Sequence, residues 1–199
     1  MVKIGCVLMA AGQGTRFGGD KLLQPLGGRP LLARTLSRLP LARLDRAAAV
    51  AGSPERAALC REAGLTTILS AGGAQSRTIR LGLEQMEGMD GCLFVMGDQP
   101  LCGRESMERL LDAFLAHPDH IVRLSWRGTG GSPTLFPSHY FPSLAALTGE
   151  RGGMAAVRDL NPPIFLVEAR REEELWDCDT PEDLERIRAF WDKRGQGIP

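Results

Sequence analysis

Val7-Leu8-Met9-Ala10-Ala11-Gly12-Gln13-Gly14-Thr15-Arg16-Phe17-Gly18-Gly19-Asp20-Lys21 begins as an apolar, strand-like run and stops at a loop of small residues. The loop holds four glycines, one arginine and one lysine. Glycine lets backbone N–H groups approach an anion closely, and Arg16 and Lys21 supply fixed positive charge. The stretch therefore reads as a strand feeding a cradle for a polyphosphate.

Working outward, apolar runs alternate with helical patterns. Strands are expected at Lys3–Met9, Arg46–Ala51, Thr66–Ser70, Gly91–Met96, His120–Trp126, Pro133–Phe136 and Ile164–Ala169. Helices are expected at Pro30–Leu39, Pro54–Ala63, Gln75–Met86, Arg104–Ala116 and Pro181–Lys193. This alternation implies an α/β three-layer sandwich with a mostly parallel, Rossmann-like sheet. Ser53-Pro54-Glu55 and Thr180-Pro181-Glu182-Asp183 each set a hydroxyl N-cap before a proline, with acids in the first turn. Gly64 suits the position after the second helix. A single domain over residues 1–199 is expected, with the Pro/Gly-rich stretch Gly128–Pro142 as an excursion from the sheet that covers substrate.

The 24 basic and 24 acidic residues balance, so bulk charge favours neither nucleic-acid binding nor an anionic membrane surface. No apolar run approaches the ~20 residues of a transmembrane helix. No signal-peptide pattern opens the chain. The five cysteines, Cys6, Cys60, Cys92, Cys102 and Cys178, are widely spaced and form no C-x-x-C. They point to a reducing cytoplasm rather than to disulfides or zinc. Cys178 lies beside an acidic motif, but no histidine is near it in sequence to activate a thiol.

In open α/β sheets, ligands sit beyond the carboxyl ends of strands. The glycine loop falls there, and so does Gly97-Asp98-Gln99-Pro100. A Walker A loop requires Ser or Thr after its lysine, whereas Leu22 follows Lys21. The dinucleotide fingerprint requires a third glycine one position before Gly18 and a helix directly after it. No acid ends the second strand to hold a ribose, since Ala51-Gly52-Ser53 occupies that place. A nucleoside triphosphate wrapped by loop rather than docked on a helix end is the remaining reading.

A triphosphate commonly brings Mg²⁺, held by one or two carboxylates and phosphate oxygens. Asp98 ends a hydrophobic strand, where a carboxylate is costly without a partner. Asp179 precedes the helix cap of Thr180, whereas Asp183 suits a capping box with Thr180. Asp98 and Asp179 are therefore the expected ligands of Mg²⁺ or Mn²⁺.

Together these residues resemble the nucleotidyltransferases with a MobA-like NTP-transferase domain, most nearly the molybdenum cofactor cytidylyltransferases. Leu8 through Lys21 match the pattern L-x-A-A-G-x-S/G-x-R-F/M-G-x-x-K, and Asp98-Gln99-Pro100 matches a strand-end D-Q-P. Gly131-Ser132-Pro133-Thr134-Leu135-Phe136 matches G-x-P-x-L-F, and Asp177–Leu184 matches D-x-D-T-P-E-D-L. Where those cytidylyltransferases carry a G-D-x-G-A-R-like stretch, this chain has Gly149-Glu150-Arg151-Gly152-Gly153-Met154. The guanylyltransferase branch usually shows Gly-Gly at Ala10-Ala11. The isoprenoid-pathway cytidylyltransferases carry D-A-A-R-P in place of Gly97-Asp98-Gln99-Pro100.

The resemblance implies transfer of CMP from CTP, with GTP as the alternative, to a molybdopterin-type phosphorylated acceptor, releasing pyrophosphate. A molybdoenzyme or its chaperone would receive the product. Lys21, Arg16 and Asp98 would be catalytic. Ala10, Ala11, Gly12, Gly14, Thr15, Arg16, Lys21, Gly72, Gly73 and Ser76 would bind the nucleotide, and Gly131, Ser132 and Pro133 the acceptor. The acceptor phosphate is mostly ionised at neutral pH, with a second pKa of about 6, so no general base is required. Other readings are a different phosphorylated acceptor, as in the isoprenoid-pathway or guanylyl branches, and a non-catalytic cofactor chaperone.

Overall fold

The first strand, β1 (Ile4–Ala10), is buried on both faces, and the alternation of its side chains between them sets the layers. Cys6, Leu8 and Ala10 pack into one hydrophobic cluster, and Val7 and Met9 into another on the opposite face. The computed structural model describes residues 1–12 and 14–193; Gln13 and residues 194–199 of the expected domain lie outside them.

After β1 come a two-residue hairpin, β2 (Pro25–Leu26) and β3 (Arg29–Pro30), then α1 (Leu31–Leu36), β4 (Arg46–Ala51), α2 (Pro54–Glu62) and β5 (Thr66–Leu69). The chain continues through α3 (Gln75–Leu83), β6 (Gly91–Met96), α4 (Arg104–Ala116), β7 (Ile121–Trp126) and β8 (Thr129–Pro137). It closes with α5 (Phe141–Ala145), α6 (Gly153–Val157), β9 (Ile164–Glu168) and α7 (Pro181–Lys193). The seven-stranded sheet has the order β5-β4-β1-β6-β8-β7-β9. Only β8 opposes its neighbours β6 and β7; the other pairings are parallel. One face packs on α1, α2, α4 and α7, the other on α3, α5 and α6.

The α/β sandwich thus agrees with the alternation in the sequence. Most of Gly128–Pro142 stays in the sheet: the expected strand Pro133–Phe136 extends to Thr129–Pro137 as β8, wedged between β6 and β7, and the chain leaves the sheet only from Ser138. A tight turn at Arg127 and Gly128, both with positive φ, folds β8 back on β7. The first helix ends at Leu36 rather than Leu39, because Leu39 precedes Pro40 and is biased away from helical backbone. The hairpin β2–β3 and the five-residue α5 and α6 are too short for periodicity to reveal.

Capping follows the expected chemistry. Ser53 accepts from the Arg56 amide. Thr180 and Asp183 exchange hydrogen bonds as a capping box at the start of α7. Helix α3 has no side-chain cap of its own; the distant Glu150 carboxylate accepts from the Gln75 amide at 3.1 Å.

Gly82 is where α3 touches β1. A Cβ there would lie 2.4 Å from a Val7 methyl. Gly82→Ala should therefore destabilise by about 1–3 kcal/mol through overpacking, outweighing the roughly 1 kcal/mol of helix propensity gained over glycine. Urea denaturation checks this; a more stable variant would show that the helix shifts freely on the sheet.

Candidate functional site

The glycine loop leaves β1 at Ala10 and turns tightly, Gly14 carbonyl accepting from the Phe17 and Gly18 amides at 2.9 and 3.2 Å. Gly14 has φ +62°, and a Cβ would lie 2.8 Å from the Gly19 carbonyl oxygen, so a side chain is excluded twice over. The loop delivers Lys21 to a 3₁₀ turn capped by Asp20.

Lys21 Nζ donates to Asp98 Oδ2 at 2.5 Å and to Asp179 Oδ1 at 2.8 Å. Asp98 follows the end of β6, whose backbone is extended by Gly97 N–H donating to the Met9 carbonyl at 2.9 Å. Asp179 is brought alongside because the Cys178 amide donates to the Asp98 carbonyl at 3.0 Å. Arg16, far more exposed, pairs with the second oxygen of Asp179 at 2.8 Å. Burial acts to lower the Lys21 ammonium, but Asp98 and Asp179 outweigh it and hold its pKa above the ordinary value. Asp98 Oδ1 is buried with no hydrogen-bond partner. Asp177 sits exposed at the cleft wall, where partial desolvation and repulsion from Asp98 and Asp179 push its carboxyl up to about 6.

These groups line a cleft of about 730 Å³. Ala11, Gly12, Gly14, Thr15, Arg16, Lys21, Gly73, Asp98, Ser132 and Asp179 all border it. Ala10 does not: it is fully buried and offers its carbonyl to Arg56. Gly72, Ser76, Gly131 and Pro133 also stand outside the wall; Gly73, Ala74, Gln75 and Thr78 form the side expected of Gly72–Ser76. A second cavity of about 350 Å³ adjoins the first, sharing Met9, Gln75, Met96 and Ser132 with it. Gly152, Gly153 and Met154 line that second cavity.

Arg56 is the residue that sequence reasoning missed. Its guanidinium grips both oxygens of Asp20 and donates to the carbonyls of Ala10 and Gly12 at 3.0 and 2.8 Å, stapling both ends of the loop. A cation in the first turn of α2 opposes the helix dipole, and that was the available signal. The five cysteines are all buried and free. Burial pushes the Cys178 thiol up to about 11 and Cys6 up to about 12, so neither is a ready nucleophile. The histidines line neither cavity. Among the described residues, no helix is long and apolar enough to cross a membrane.

The sequence pattern of the MobA-like NTP transferase domain matches residues 6–164. The chain belongs to this family. It is 30% identical to the molybdenum cofactor guanylyltransferase of Rhodobacter capsulatus, over all of both chains. It is 39% identical to the bifunctional enzyme IspD/IspF of Rhodospirillum rubrum over 66% of this chain and 38% of that one. The chain thus spans well under half the length of that bifunctional relative. The crystal structure of the Rv0371c homologue from Mycobacterium sp. strain JC1 shares the fold, with TM-score 0.82, 24% identity and coverage of 96% of this chain and 98% of that one.

Because Arg56 is buried and its partners are carboxylate and carbonyl oxygens, Arg56→Leu should destabilise by about 3 kcal/mol or more. Arg56→Lys should not restore stability, since an ammonium lacks the bidentate fork. Thermal melts of the two variants check this, and near-wild-type stability of Arg56→Leu would show the loop holds itself.

Proposed function

We propose that this chain transfers CMP from CTP to a phosphorylated, molybdopterin-type acceptor. The observation that carries this reading is the buried Lys21 ammonium held between Asp98 and Asp179 on the floor of a glycine-loop cleft. The nucleotide would occupy the larger cleft and the acceptor the adjoining cavity, with Ser132 at their junction.

An acceptor phosphate oxygen attacks the α-phosphorus; the bond from that phosphorus to the bridging oxygen breaks, and its electron pair leaves with pyrophosphate. A phosphate nucleophile is already ionised, which fits a cleft without histidine. Lys21 would neutralise charge growing at the α-phosphate, and Arg16, on the exposed rim of the loop, charge on the β- and γ-phosphates. Alignment of the two substrates supplies the rest.

The donor set suits a hard divalent cation. Asp98 and Asp179 offer carboxylate oxygens, and Asp98 Oδ1 is a buried acceptor with nothing to accept from. Among the described residues no three metal-ligating side chains converge, so the remaining ligands would be phosphate oxygens and water. Mg²⁺ bound there would act as a Lewis acid toward the triphosphate.

The cytidylyl reading draws on the resemblance of the Ala10-Ala11 loop and on the IspD part of the Rhodospirillum relative. GTP is the second reading, favoured by the end-to-end match to a guanylyltransferase. Pyrophosphate release with CTP or GTP, each with molybdopterin or 2-C-methyl-D-erythritol 4-phosphate, separates these. No release with any nucleotide, alongside tight pterin binding, would instead make the protein a carrier.

Lys21→Ala should lower turnover by about a hundredfold or more while CTP affinity falls only modestly. Asp98→Asn should raise the Mg²⁺ concentration needed for half-maximal pyrophosphate release. Unchanged Mg²⁺ dependence in both Asp98→Asn and Asp179→Asn would remove these carboxylates from the metal.

A further inference from the structure

One row of side chains crosses the sheet from an apolar core to a charge. The register pairs Val7 with Phe94, Phe94 with Thr134, and Thr134 with Arg123. Residues paired on neighbouring strands share a face. Val7 and Phe94 belong to the hydrophobic cluster under α3 and α5. Arg123 therefore projects a guanidinium from the same, helix-covered face.

Among the described residues nothing compensates that charge. Arg123 Nε is buried without a hydrogen-bond partner, and no ion pair to Arg123 is formed among the described residues. Burial pulls its pKa below the ordinary value. Glu168, the acid on the adjoining strand β9, is already engaged by the Ser125 hydroxyl and the Arg127 amide. A half-buried guanidinium left this way bears a desolvation cost that an anionic partner would offset.

Arg123 lines the smaller cavity together with the exposed Arg158, and its other walls include Phe94, Phe136, Met96 and Met154. Phe94 and Phe136 meet edge to face at 5.8 Å. Aromatic and thioether walls suit a flat, polarisable body. Strand β7 lies two strands from β6, so the Arg123 backbone is about 10 Å from that of Phe94. Lys21 and Asp98 lie farther still, beyond the carboxyl end of β6. Arg123 is thus placed to face the body of an acceptor rather than its reacting phosphate.

We propose that Arg123 is a specificity-determining residue that pairs with an anionic substituent on a flat heteroaromatic acceptor body seated between Phe94, Phe136 and the methionines. This rests on the reading of the smaller cavity as the acceptor site. It disfavours a small polyol phosphate, which would leave the aromatic walls and the guanidinium unused.

The test compares two fluorescent probes, pterin and 6-carboxypterin, by direct titration of the full chain. The wild type should bind 6-carboxypterin about tenfold or more tighter than pterin, the worth of one charge-assisted contact. Arg123→Met should abolish that preference while leaving CTP affinity unchanged, and Arg123→Gln gives the same comparison if the methionine variant does not fold. Equal affinity of the wild type for the two probes overturns the proposal without any variant, as does a preference that survives in a folded variant. Pyrophosphate release by the wild type is measured in parallel. Release with equal probe affinities sinks the role of Arg123 and leaves nucleotidyl transfer standing. A charge-dependent preference without release on any acceptor does the reverse.

Discussion

Two carboxylates drawn to one ammonium organise this molecule. Asp98 and Asp179 repel each other, and Lys21, only a tenth exposed, is the ammonium that bridges them. Remove the cation and two negative charges face one another at the end of β6; remove either acid and a buried ammonium loses half its partners. The pair of ion contacts therefore fixes the seat of the glycine loop, the exit of the central strand and the entry to α7 in one place. Arg16 on the outer oxygen of Asp179 completes a cluster of two cations and two anions, neutral overall. A polyphosphate and a divalent cation bring the same two signs of charge, so the cluster can exchange internal partners for external ones with little change in net charge.

The parts of this arrangement that were legible in the sequence are those with local signatures. Apolar strand runs, the Ser53 and Thr180 caps and the D-Q-P at a strand end each follow from neighbouring residues, and the fold places them as expected. Parts set by distant contacts were not legible. Arg56 reads as an ordinary helix residue until the loop it grips is folded beside it. Only the second half of β8, Pro133–Phe136, reads as a strand; Thr129–Ser132 reads as part of an excursion because its glycines are poor strand formers, and β7 alongside supplies the pairing that its composition does not favour. Ala10 and Ala11 look equivalent in the motif, yet strand alternation sends the first into the core and the second to the cleft. Within the site, the cations and acids were visible as residue types, but their shared hydrogen bonds were not.

The two cavities divide the sheet's upper surface by chemistry. The larger is floored by charge and bounded by backbone, suited to a ligand whose phosphates are common to every nucleotide. The smaller is walled by side chains from β1, β6, β7, β8, α3, α5 and α6, with apolar groups predominating. On the proposed reading, variation among the walls it does not share would alter acceptor choice while leaving the charged floor of the larger cleft in place.

Lys21 and Asp179 are 158 positions apart along the chain. No local folding event brings them together, and closing so long a loop is entropically slow. Asp179 leads directly into α7, whose Trp191 packs against the turn at Gly27, so the charged floor is complete only with α7 docked. The cleft floor is thereby tied to the far end of the chain: a chain ending before Asp179 keeps Lys21 and Asp98 but lacks the second carboxylate of the cluster.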